Sequence, residues 1–245
     1  QILAALVVVY SGVRIEFVTN ILNKTTGMSG LGKFSIPITI FWIVGITNTI
    51  NLIDGLDGLA AGVSSIAALS LAYIAYINGQ ITAAVILVIL AGSLIGFLPY
   101  NFNPAQIFMG DTGSLLVGFI LATISVEGVF KTAATIAVAI PVLALGVPIF
   151  DTTFAIIRRL INGRPIMEAD KGHLHHRLLE QGFSQKQTVS ILYFISMLFG
   201  ASAIVISDSS KLGAFLIIAA VSIGVFMGAI RIGLMKKPQE GKANS

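Results

Sequence analysis

The stretch from Asn48 to Gly62, NTINLIDGLDGLAAG, places polar residues between two long apolar runs. Its asparagines and aspartates recur at three-residue intervals: Asn48, Asn51, Asp54 and Asp57. This spacing puts them on one helical face if the helix continues through the motif. Glycine loosens a helical backbone, so Gly55 and Gly58 predict that one helix ends here and that the next begins near position 57 or 58.

A helix cap is the simplest explanation for a lone aspartate at such a junction, because its carboxylate accepts hydrogen bonds from free backbone amides. Capping explains two aspartates and two asparagines less well, since ionisable groups at membrane depth are energetically costly and usually functional. We therefore predict a functional role for the motif and keep capping as the alternative.

The composition of the chain indicates whether this junction belongs to a soluble protein or to a membrane protein. Of the 245 residues, 56% are hydrophobic and 11% are charged, and the mean hydropathy is +0.93, whereas a soluble domain carries about 25% charged residues. The chain is therefore predicted to be an integral membrane protein built of helices, which satisfy their own backbone groups in lipid. Cysteine is absent, which excludes disulfides and thiolate metal sites. We interpret the net charge of +4 as a topology signal and expect no nucleic-acid partner.

Eight apolar segments are candidates for membrane spans, each of which needs about 20 helical residues. The segments cover roughly 1–13, 36–53, 59–77, 80–100, 113–126, 132–157, 188–207 and 211–233. The fifth is short for a span. The predicted fold class is all-α, a polytopic transmembrane bundle, with residues 1–245 forming a single domain.

The positions of lysine and arginine predict which side of the membrane the polar loops face. Threading eight spans from an inside start puts Asp54 and Asp57 on the same side as the loops 101–112 and 158–187. That side holds ten lysines and arginines against five on the other, so the positive-inside rule makes it cytoplasmic. We predict a multi-pass protein of the cell membrane with its active site on the cytoplasmic face.

A second polar stretch, YNFNPAQIFMGDTGSLLVG, covers residues 100–118. Pro104 ends one span, and Asp111 opens the next between Gly110 and Thr112. The flanking glycines allow a bulky anion to approach backbone amides. A lone carboxylate suits Mg²⁺, which keeps waters and takes few carboxylates together with phosphate oxygens. Simple capping by Asp111 is the alternative.

A third stretch, residues 151–183, contains every histidine of the chain in the sequence HLHH: His173, His175 and His176. Adjacent histidines without cysteine or a carboxylate partner match a zinc site poorly. Histidine beside arginine suits binding of a pyrophosphate and stabilisation of its developing charge. A basic loop that only sets topology is the alternative, but it explains the arginines and not the clustered histidines.

Carboxylates, glycine-rich helix starts and a basic histidine loop on one membrane face together predict phosphoryl transfer involving a membrane-embedded substrate. The competing hypothesis is an ion-coupled secondary transporter, in which intramembrane Asp and Asn residues bind Na⁺ or H⁺ between repeated halves. The polar clusters lie at helix ends on one side and the spans do not repeat, which counts against it. A membrane subunit that only binds lipid would not need three polar clusters.

At these three stretches the chain resembles, over nearly its whole length, the polyprenyl-phosphate N-acetylhexosamine-1-phosphate transferases. The resemblance implies Mg²⁺-dependent transfer of a sugar 1-phosphate from a UDP-sugar to undecaprenyl phosphate with release of UMP; Mn²⁺ is the second metal considered. The H-x-H-H form of the loop with paired arginines resembles the WecA and TagO branch, which favours GlcNAc over MurNAc-pentapeptide. The implied role is the first step of a cell-wall or surface polysaccharide pathway, such as teichoic acid or lipopolysaccharide synthesis. The expected partners are UDP-GlcNAc, undecaprenyl phosphate and the bilayer, and a homodimer is among the expected assemblies.

The resemblance also assigns roles to individual residues. Asp111 matches the family's Mg²⁺-binding aspartate and is the expected metal ligand and catalytic residue. Asp54 and Asp57 match its second acidic motif and are expected to bind substrate in the nucleotide pocket, with Asp57 at the position linked to uracil. Arg159 and the histidines match the loop that holds the donor's pyrophosphate or sugar. This catalytic loop set comprises Arg159, His173, His175 and His176.

Four further residues are expected to bind substrate. Asn101 and Phe108 match nucleoside contacts of the family, and Asn48 and Asn51 are expected to line the same cleft. The family's first acidic motif, D-D-x-x-D, is absent from the chain and would precede residue 1. We therefore interpret the chain as lacking the N-terminal spans of the family and expect little activity from residues 1–245 alone.

Overall fold

The computed structural model describes residues 1–19, 28–130, 138–163, 165 and 172–232. Within these ranges the chain is almost entirely helical, which confirms the predicted fold class. The helices are α1 (Ile2–Tyr10), α2 (Ser35–Ile53), α3 (Leu59–Ile77), α4 (Ile81–Asn101), α5 (Gly110–Ser125), α6 (Ala139–Ala144), α7 (Gly146–Ile161), α8 (Leu174–Glu180), α9 (Gln185–Ser207) and α10 (Lys211–Ile232). A 3₁₀ turn at Gly32–Phe34 leads into α2, and a π-helical turn at Val126–Phe130 continues α5. Two short antiparallel strands, β1 (Phe17–Thr19) and β2 (Met28–Gly30), are an addition to the predicted helices.

In the described ranges, six helices are long and apolar enough to cross a membrane, fewer than the eight predicted spans. They are Gly32–Ile53, Leu59–Ile77, Ile81–Asn101, Gly110–Gly128, Gln185–Ser207 and Leu212–Arg231. The fifth predicted segment is longer than expected, because its helix begins at Gly110 and spans 19 residues. Within the given sequence, the first predicted segment forms the nine-residue α1.

The sixth predicted segment, 132–157, lies partly outside the described residues and is otherwise divided into two helices. Leu145 leaves the helical conformation with φ −98° and ψ 23°, so that α6 ends and α7 begins there. Directly after the break, Gly146 lies against α9: a Cβ at this position would stand 2.5 Å from the Phe199 ring. An apolar run predicts hydrophobic length but not such a break, which depends on packing between helices.

Helix α3 forms the centre of the bundle and packs against α2, α4, α5 and α9. In its membrane-spanning window, 72% of the residues are buried. Its face toward α9 is made of small residues, which allow close approach of helices in a membrane. A Cβ at Gly62 would overlap the ring of Tyr193, and a Cβ at Gly200 would overlap the Ser70 hydroxyl.

The helix ends that carry the polar stretches meet at one end of the bundle. The turn between α2 and α3 contacts both the loop between α4 and α5 and the start of α9. Gly58 donates to the side chain of Asn101 at 3.1 Å, and the hydroxyl of Tyr193 donates to the carbonyl of Gly58. Three segments that are far apart in the sequence therefore form one polar surface.

Candidate active site

Asp111 lies in the first turn of α5 and is linked to the end of α2 by Asn51. The side-chain Nδ2 of Asn51 donates to Asp111 Oδ1 at 3.1 Å and to the Ser114 hydroxyl at 2.8 Å. Gly110, with φ +65°, adopts the left-handed conformation through which the chain turns into α5. The amide of Asn51 therefore holds the Asp111 carboxylate in a defined orientation at an exposed helix start.

Asp54 follows α2 directly, in the same polar cluster. Burial raises the pKa of Asp54 above its ordinary value, and the negative charge of Asp111 raises it further. A bound cation would favour the ionised form of Asp54, because an opposite charge nearby stabilises a carboxylate. Asn51 and Asp54 thus both lie near Asp111. Because α2 ends at Ile53, Asp54 does not share a helical face with Asn51.

Asn48, one turn earlier on α2, is directed toward a different neighbour. Its Nδ2 donates to the carbonyl of Val44 at 2.7 Å and also bonds the side chain of Gln1. The structure therefore places Asn48 beside the start of α1, while Asn51 contacts α5. The predicted role of Asn48 in lining the substrate cleft stays a prediction.

Asp57 links the helix junction to the loop between α4 and α5. Its Oδ2 accepts hydrogen bonds from Asn103 Nδ2 at 3.0 Å and from the backbone N–H of Ala105 at 3.1 Å. Asn103 also donates to Gln185 Oε1, at the start of α9, at 2.8 Å. The Asp57 carboxylate is thus a brace for three segments, and its role in a uracil pocket stays a prediction.

Asn101 lies at the end of α4, and both polar atoms of its side-chain amide form hydrogen bonds within the protein. The oxygen accepts from Gly58 N–H at 3.1 Å, and Nδ2 donates to the carbonyl of Ile107 at 2.9 Å. Its side chain is buried, whereas Phe108 is 74% exposed. Phe108 borders an apolar cavity of 410 Å³ between α4 and α5. Of the two predicted nucleoside contacts, only Phe108 is open to the surroundings.

The histidine cluster is anchored by Asp151 on α7. Asp151 is 5% exposed; its Oδ2 accepts from His173 Nδ1 at 3.0 Å, and its Oδ1 accepts from the backbone N–H of Leu174 at 2.6 Å. The ring of His173 is parallel to that of His175, with centroids 5.8 Å apart, and His176 lies 4.2 Å beyond His175. All three predicted histidines are therefore grouped, as the sequence predicts.

The histidine cluster contacts the aspartate motif through His175. A Cβ at Gly55 would stand 2.7 Å from Nε2 of the His175 ring, so the ring lies directly on the backbone between Asp54 and Asp57. Burial lowers the pKa of His175 to about 4, and the neighbouring His176 and His173 lower it while Asp151 opposes them. His175 is consequently neutral near pH 7.

Two arginines at the end of α7 are buried beside the histidine cluster. Arg158 donates to the carbonyl of Gly172 at 2.8 Å, which fixes the backbone just before His173. The predicted Arg159 is 6% exposed and also has partners within the protein. The sequence predicted a site role for Arg159 and none for Arg158.

Several residues that build the site were not predicted: Asp151, Arg158, Asn103, Ser114 and Tyr193. Asp151 had a usable signal, since a single aspartate inside an apolar helical segment needs a buried partner. Arg158 and Tyr193 contact backbone carbonyls, and Asn103 and Ser114 contact side chains from other segments. No spacing rule indicates such contacts.

The oxygen donors at the start of α5 fit a magnesium ion. Within the described residues, no group of three or more His, Cys, Asp or Glu side chains is arranged to hold a metal. Asp54 and Asp111 offer carboxylate oxygens, which suit Mg²⁺ with its waters and substrate phosphates. Zinc would require a tetrahedral set of protein ligands. Burial, and after it the negative charge of Asp111, raises the pKa of Asp54, and a bound cation would offset both effects.

Comparison with known proteins gives matches along most of the chain. The model of glycosyl transferase family 4 matches residues 1–129, which include both aspartate stretches. A Bacillus subtilis (strain 168) protein, "Probable undecaprenyl-phosphate N-acetylglucosaminyl 1-phosphate transferase", is 43% identical over 210 residues, which are 86% of this chain and 58% of that protein.

Two further relatives carry related names. "Decaprenyl-phosphate N-acetylglucosaminephosphotransferase" of Mycobacterium leprae (strain TN) is 40% identical over 58% of this chain and 39% of its own length. "Phospho-N-acetylmuramoyl-pentapeptide-transferase" of Staphylococcus aureus (strain JH9) is 32% identical over 66% of this chain and 48% of its own length. The chain thus spans about half the length of the curated relatives it matches.

Proposed function

The chain belongs to glycosyl transferase family 4, and we propose that its protein transfers N-acetylglucosamine 1-phosphate from UDP-GlcNAc to undecaprenyl phosphate. The products are undecaprenyl-pyrophosphoryl-GlcNAc and UMP. The name of the Bacillus subtilis relative, at 43% identity, supports the sugar and the lipid, and the Mycobacterium leprae name contains the same sugar. The relative whose name contains muramoyl-pentapeptide is more distant, at 32% identity.

The proposal rests on one observation of the site. The contact of His175 with Gly55 brings the histidine cluster next to the two carboxylates Asp54 and Asp111. Phosphoryl transfer needs groups that bind a metal and groups that neutralise charge around one pyrophosphate. Asp54 and Asp111 supply the first kind, and His173, His176 and Arg159 supply the second. A secondary transporter would instead need polar groups near the bilayer midplane between repeated halves.

Asp111 and Asp54 would hold Mg²⁺, and Mn²⁺ suits the same oxygen donors. When bound, the cation would bind pyrophosphate oxygens and offset the charge that develops on them. Asn51 orients the Asp111 carboxylate through its 3.1 Å hydrogen bond. These assignments make the end of α2 and the start of α5 the metal side of the site.

The reaction joins the lipid phosphate to the sugar phosphate. A phosphate oxygen of the lipid attacks the β-phosphorus of UDP-GlcNAc, the bond from that phosphorus to the bridging oxygen breaks, and UMP leaves with that oxygen. The Asp151 carboxylate accepts a hydrogen bond from Nδ1 of His173, which fixes the orientation and the tautomer of the ring. His173, His176 and Arg159 then offset negative charge on the donor.

We also infer that this end of the bundle faces the cytoplasm. The distribution of lysine and arginine along the chain, ten against five, supports this orientation through the positive-inside rule. A nucleotide-sugar donor is a soluble, charged molecule, and such a donor would reach the polar helix ends from the aqueous phase. The protein itself is a multi-pass membrane protein of six described apolar helices.

The test uses the full-length protein that contains this chain, purified in detergent. It is incubated with radiolabelled UDP-GlcNAc, undecaprenyl phosphate and Mg²⁺, and the label is followed into the organic phase while UMP is measured in the aqueous phase. We expect equal amounts of labelled lipid and UMP, with UDP-GalNAc and UDP-MurNAc-pentapeptide as poorer donors. Absence of labelled lipid, or ion-driven uptake of the label into vesicles, would overturn the proposal.

A further inference from the structure

We propose that Gly55 is a positioning residue for His175. Because Gly55 has no side chain, the ring of His175 can pack against its backbone, and this contact fixes the position of the histidine cluster relative to Asp54. The histidine cluster is His173, His175 and His176. The inference rests on the proposed function, because it assigns Gly55 a role within the same site. It concerns the placement of the catalytic groups and not a new contact with substrate.

The contact at Gly55 is between backbone and imidazole ring. An ideal Cβ at this position would stand 2.7 Å from His175 Nε2, 3.1 Å from Cε1 and 3.6 Å from Cδ2. Real Cβ atoms do not approach other atoms as closely as 2.7 Å, so alanine at position 55 would force the ring to move. Gly55 is not among the glycines with positive φ. Its backbone conformation therefore does not itself require glycine, and the space taken by His175 does.

His175 has little room to move independently of its neighbours. The residue is 2% exposed. Its ring is stacked parallel to that of His173, and the centroid of the His176 ring lies 4.2 Å from its own. His173 is in turn hydrogen-bonded to the buried Asp151. Because packed side chains transmit displacement, a shift of His175 would push the other members of the cluster.

Packing, and not hydrogen bonding, fixes the ring of His175. Within the part of the chain that the structure describes, both ring nitrogens are buried without a hydrogen-bond partner. The ring is therefore held by the surfaces around it, one of which is the bare backbone of Gly55. Filling that space by one methyl group is enough to displace it, since no hydrogen bond resists the movement.

Gly55 stands next to Asp54 in the chain, so the same three residues, Asp54, Gly55 and His175, join the metal side of the site to the charge-neutralising side. Catalysis by positioned groups is sensitive to small displacements, and misplacement by about 1 Å can lower a rate by roughly 100-fold. The absence of a side chain at Gly55 is thus a geometric requirement of the proposed reaction.

The first test measures how well the ring of His175 is protected from a chemical reagent, and it does not depend on catalytic activity. The full-length protein and its G55A variant are treated with diethyl pyrocarbonate, which modifies accessible neutral imidazoles, and each histidine is quantified by mass spectrometry. We expect His175 to be protected in the natural protein and several-fold more reactive in G55A. The matched control is G45A, on α2, which ends two residues before Gly55; a Cβ at Gly45 meets nothing within 4 Å. Equal protection of His175 in all three proteins would overturn the proposal.

The second test asks whether Gly55 acts through His175. We expect G55A to lower kcat/KM for UDP-GlcNAc about tenfold or more, while KM for undecaprenyl phosphate stays unchanged. In a protein that already carries H175A, the further change G55A should add no loss, because the ring it displaces is gone. Independent, multiplicative losses would contradict the proposal.

A folding defect in G55A would also be informative. If G55A alone does not fold, the double variant G55A/H175A should fold and elute as a single species on size exclusion, since the clash is removed; failure of this rescue would overturn the proposal. If the natural protein transfers no sugar phosphate at all, the proposed function is wrong. The reactivity of His175 toward diethyl pyrocarbonate then still tests whether Gly55 positions its ring.

Discussion

The buried carboxylate of Asp151 holds His173 across 22 positions of the chain, through a 3.0 Å hydrogen bond from Nδ1. Its second oxygen accepts a 2.6 Å hydrogen bond from the backbone N–H of Leu174. One side chain on α7 therefore fixes both the first histidine of the cluster and the start of α8. An aspartate inside an apolar helix has a structural reason to be there, because both of its oxygens are used.

The variant D151N tests this arrangement. An amide offers one oxygen in place of two, so it cannot accept from both His173 and Leu174. We expect kcat/KM to fall about 10- to 100-fold, the range typical of residues that orient a catalytic ligand. The pKa of His175 should fall further, because the charge of Asp151 that raises it is removed.

The matched control for D151N is D208N. Asp208 follows the last residue of α9, at the opposite end of a helix that begins in the site, and we expect that variant to keep its activity and pH profile. Unchanged kinetics in D151N would remove Asp151 from the site.

Asp111 and Asp54 are expected to differ in how strongly they affect the metal. D111N should abolish Mg²⁺-dependent release of UMP, because it removes the carboxylate that Asn51 orients. D54N should raise the Mg²⁺ concentration for half-maximal rate about tenfold and leave a measurable rate at saturating Mg²⁺. A Mg²⁺ titration of UMP release checks both. If D111N releases UMP normally, Asp111 has no metal role.

The same pair predicts a pH dependence of metal binding. Burial and the charge of Asp111 raise the pKa of Asp54, so protons compete with the cation at a higher pH than for an ordinary carboxylate. The Mg²⁺ concentration needed for half-maximal rate should therefore rise as the pH falls, and D54N should weaken this dependence. The measurement is a Mg²⁺ titration repeated at several pH values in both proteins.

Asp57 is expected to contribute to stability as well as to activity. The D57A variant loses two hydrogen bonds to a charged acceptor, from Asn103 and from Ala105, which destabilises the fold by about 2 kcal/mol or more. Thermal unfolding in detergent should show a lower midpoint, and KM for UDP-GlcNAc should rise with it. A raised KM with an unchanged unfolding midpoint would mean that Asp57 contacts the donor without bracing the loop.

The bundle and the polar motifs could be predicted from the sequence because apolar runs and their interruptions are local signals. The junction at Asp54 and the helix start at Asp111 are of this kind. Contacts such as Gly55 with His175 could not be predicted, since they depend on how distant helices pack. The break at Leu145 was missed for the same reason, and with it the division of a predicted span into α6 and α7.

His175 is expected to make stability depend on pH. Burial, followed by the charges of His176 and His173, lowers its pKa from 6.5 to about 4. As the pH falls below 6.5, the unfolded chain takes up a proton at this residue before the folded protein does. A histidine with a lowered pKa therefore contributes stability that is fully present above pH 6.5 and is lost as the pH falls toward 4.

Between pH 7 and pH 5, the pKa difference of His175 between the folded and unfolded states lowers the free energy of unfolding by about 2 kcal/mol. The thermal unfolding midpoint in detergent should therefore drop over that range. The variant H175N keeps a polar side chain but removes the titrating ring, and its midpoint should depend less on pH. The variant of the neighbouring residue, H176N, is the matched control: it removes a positive charge that opposes protonation of His175, and should keep most of the pH dependence. If H175N and the natural protein lose stability equally on acidification, His175 is not the group that titrates.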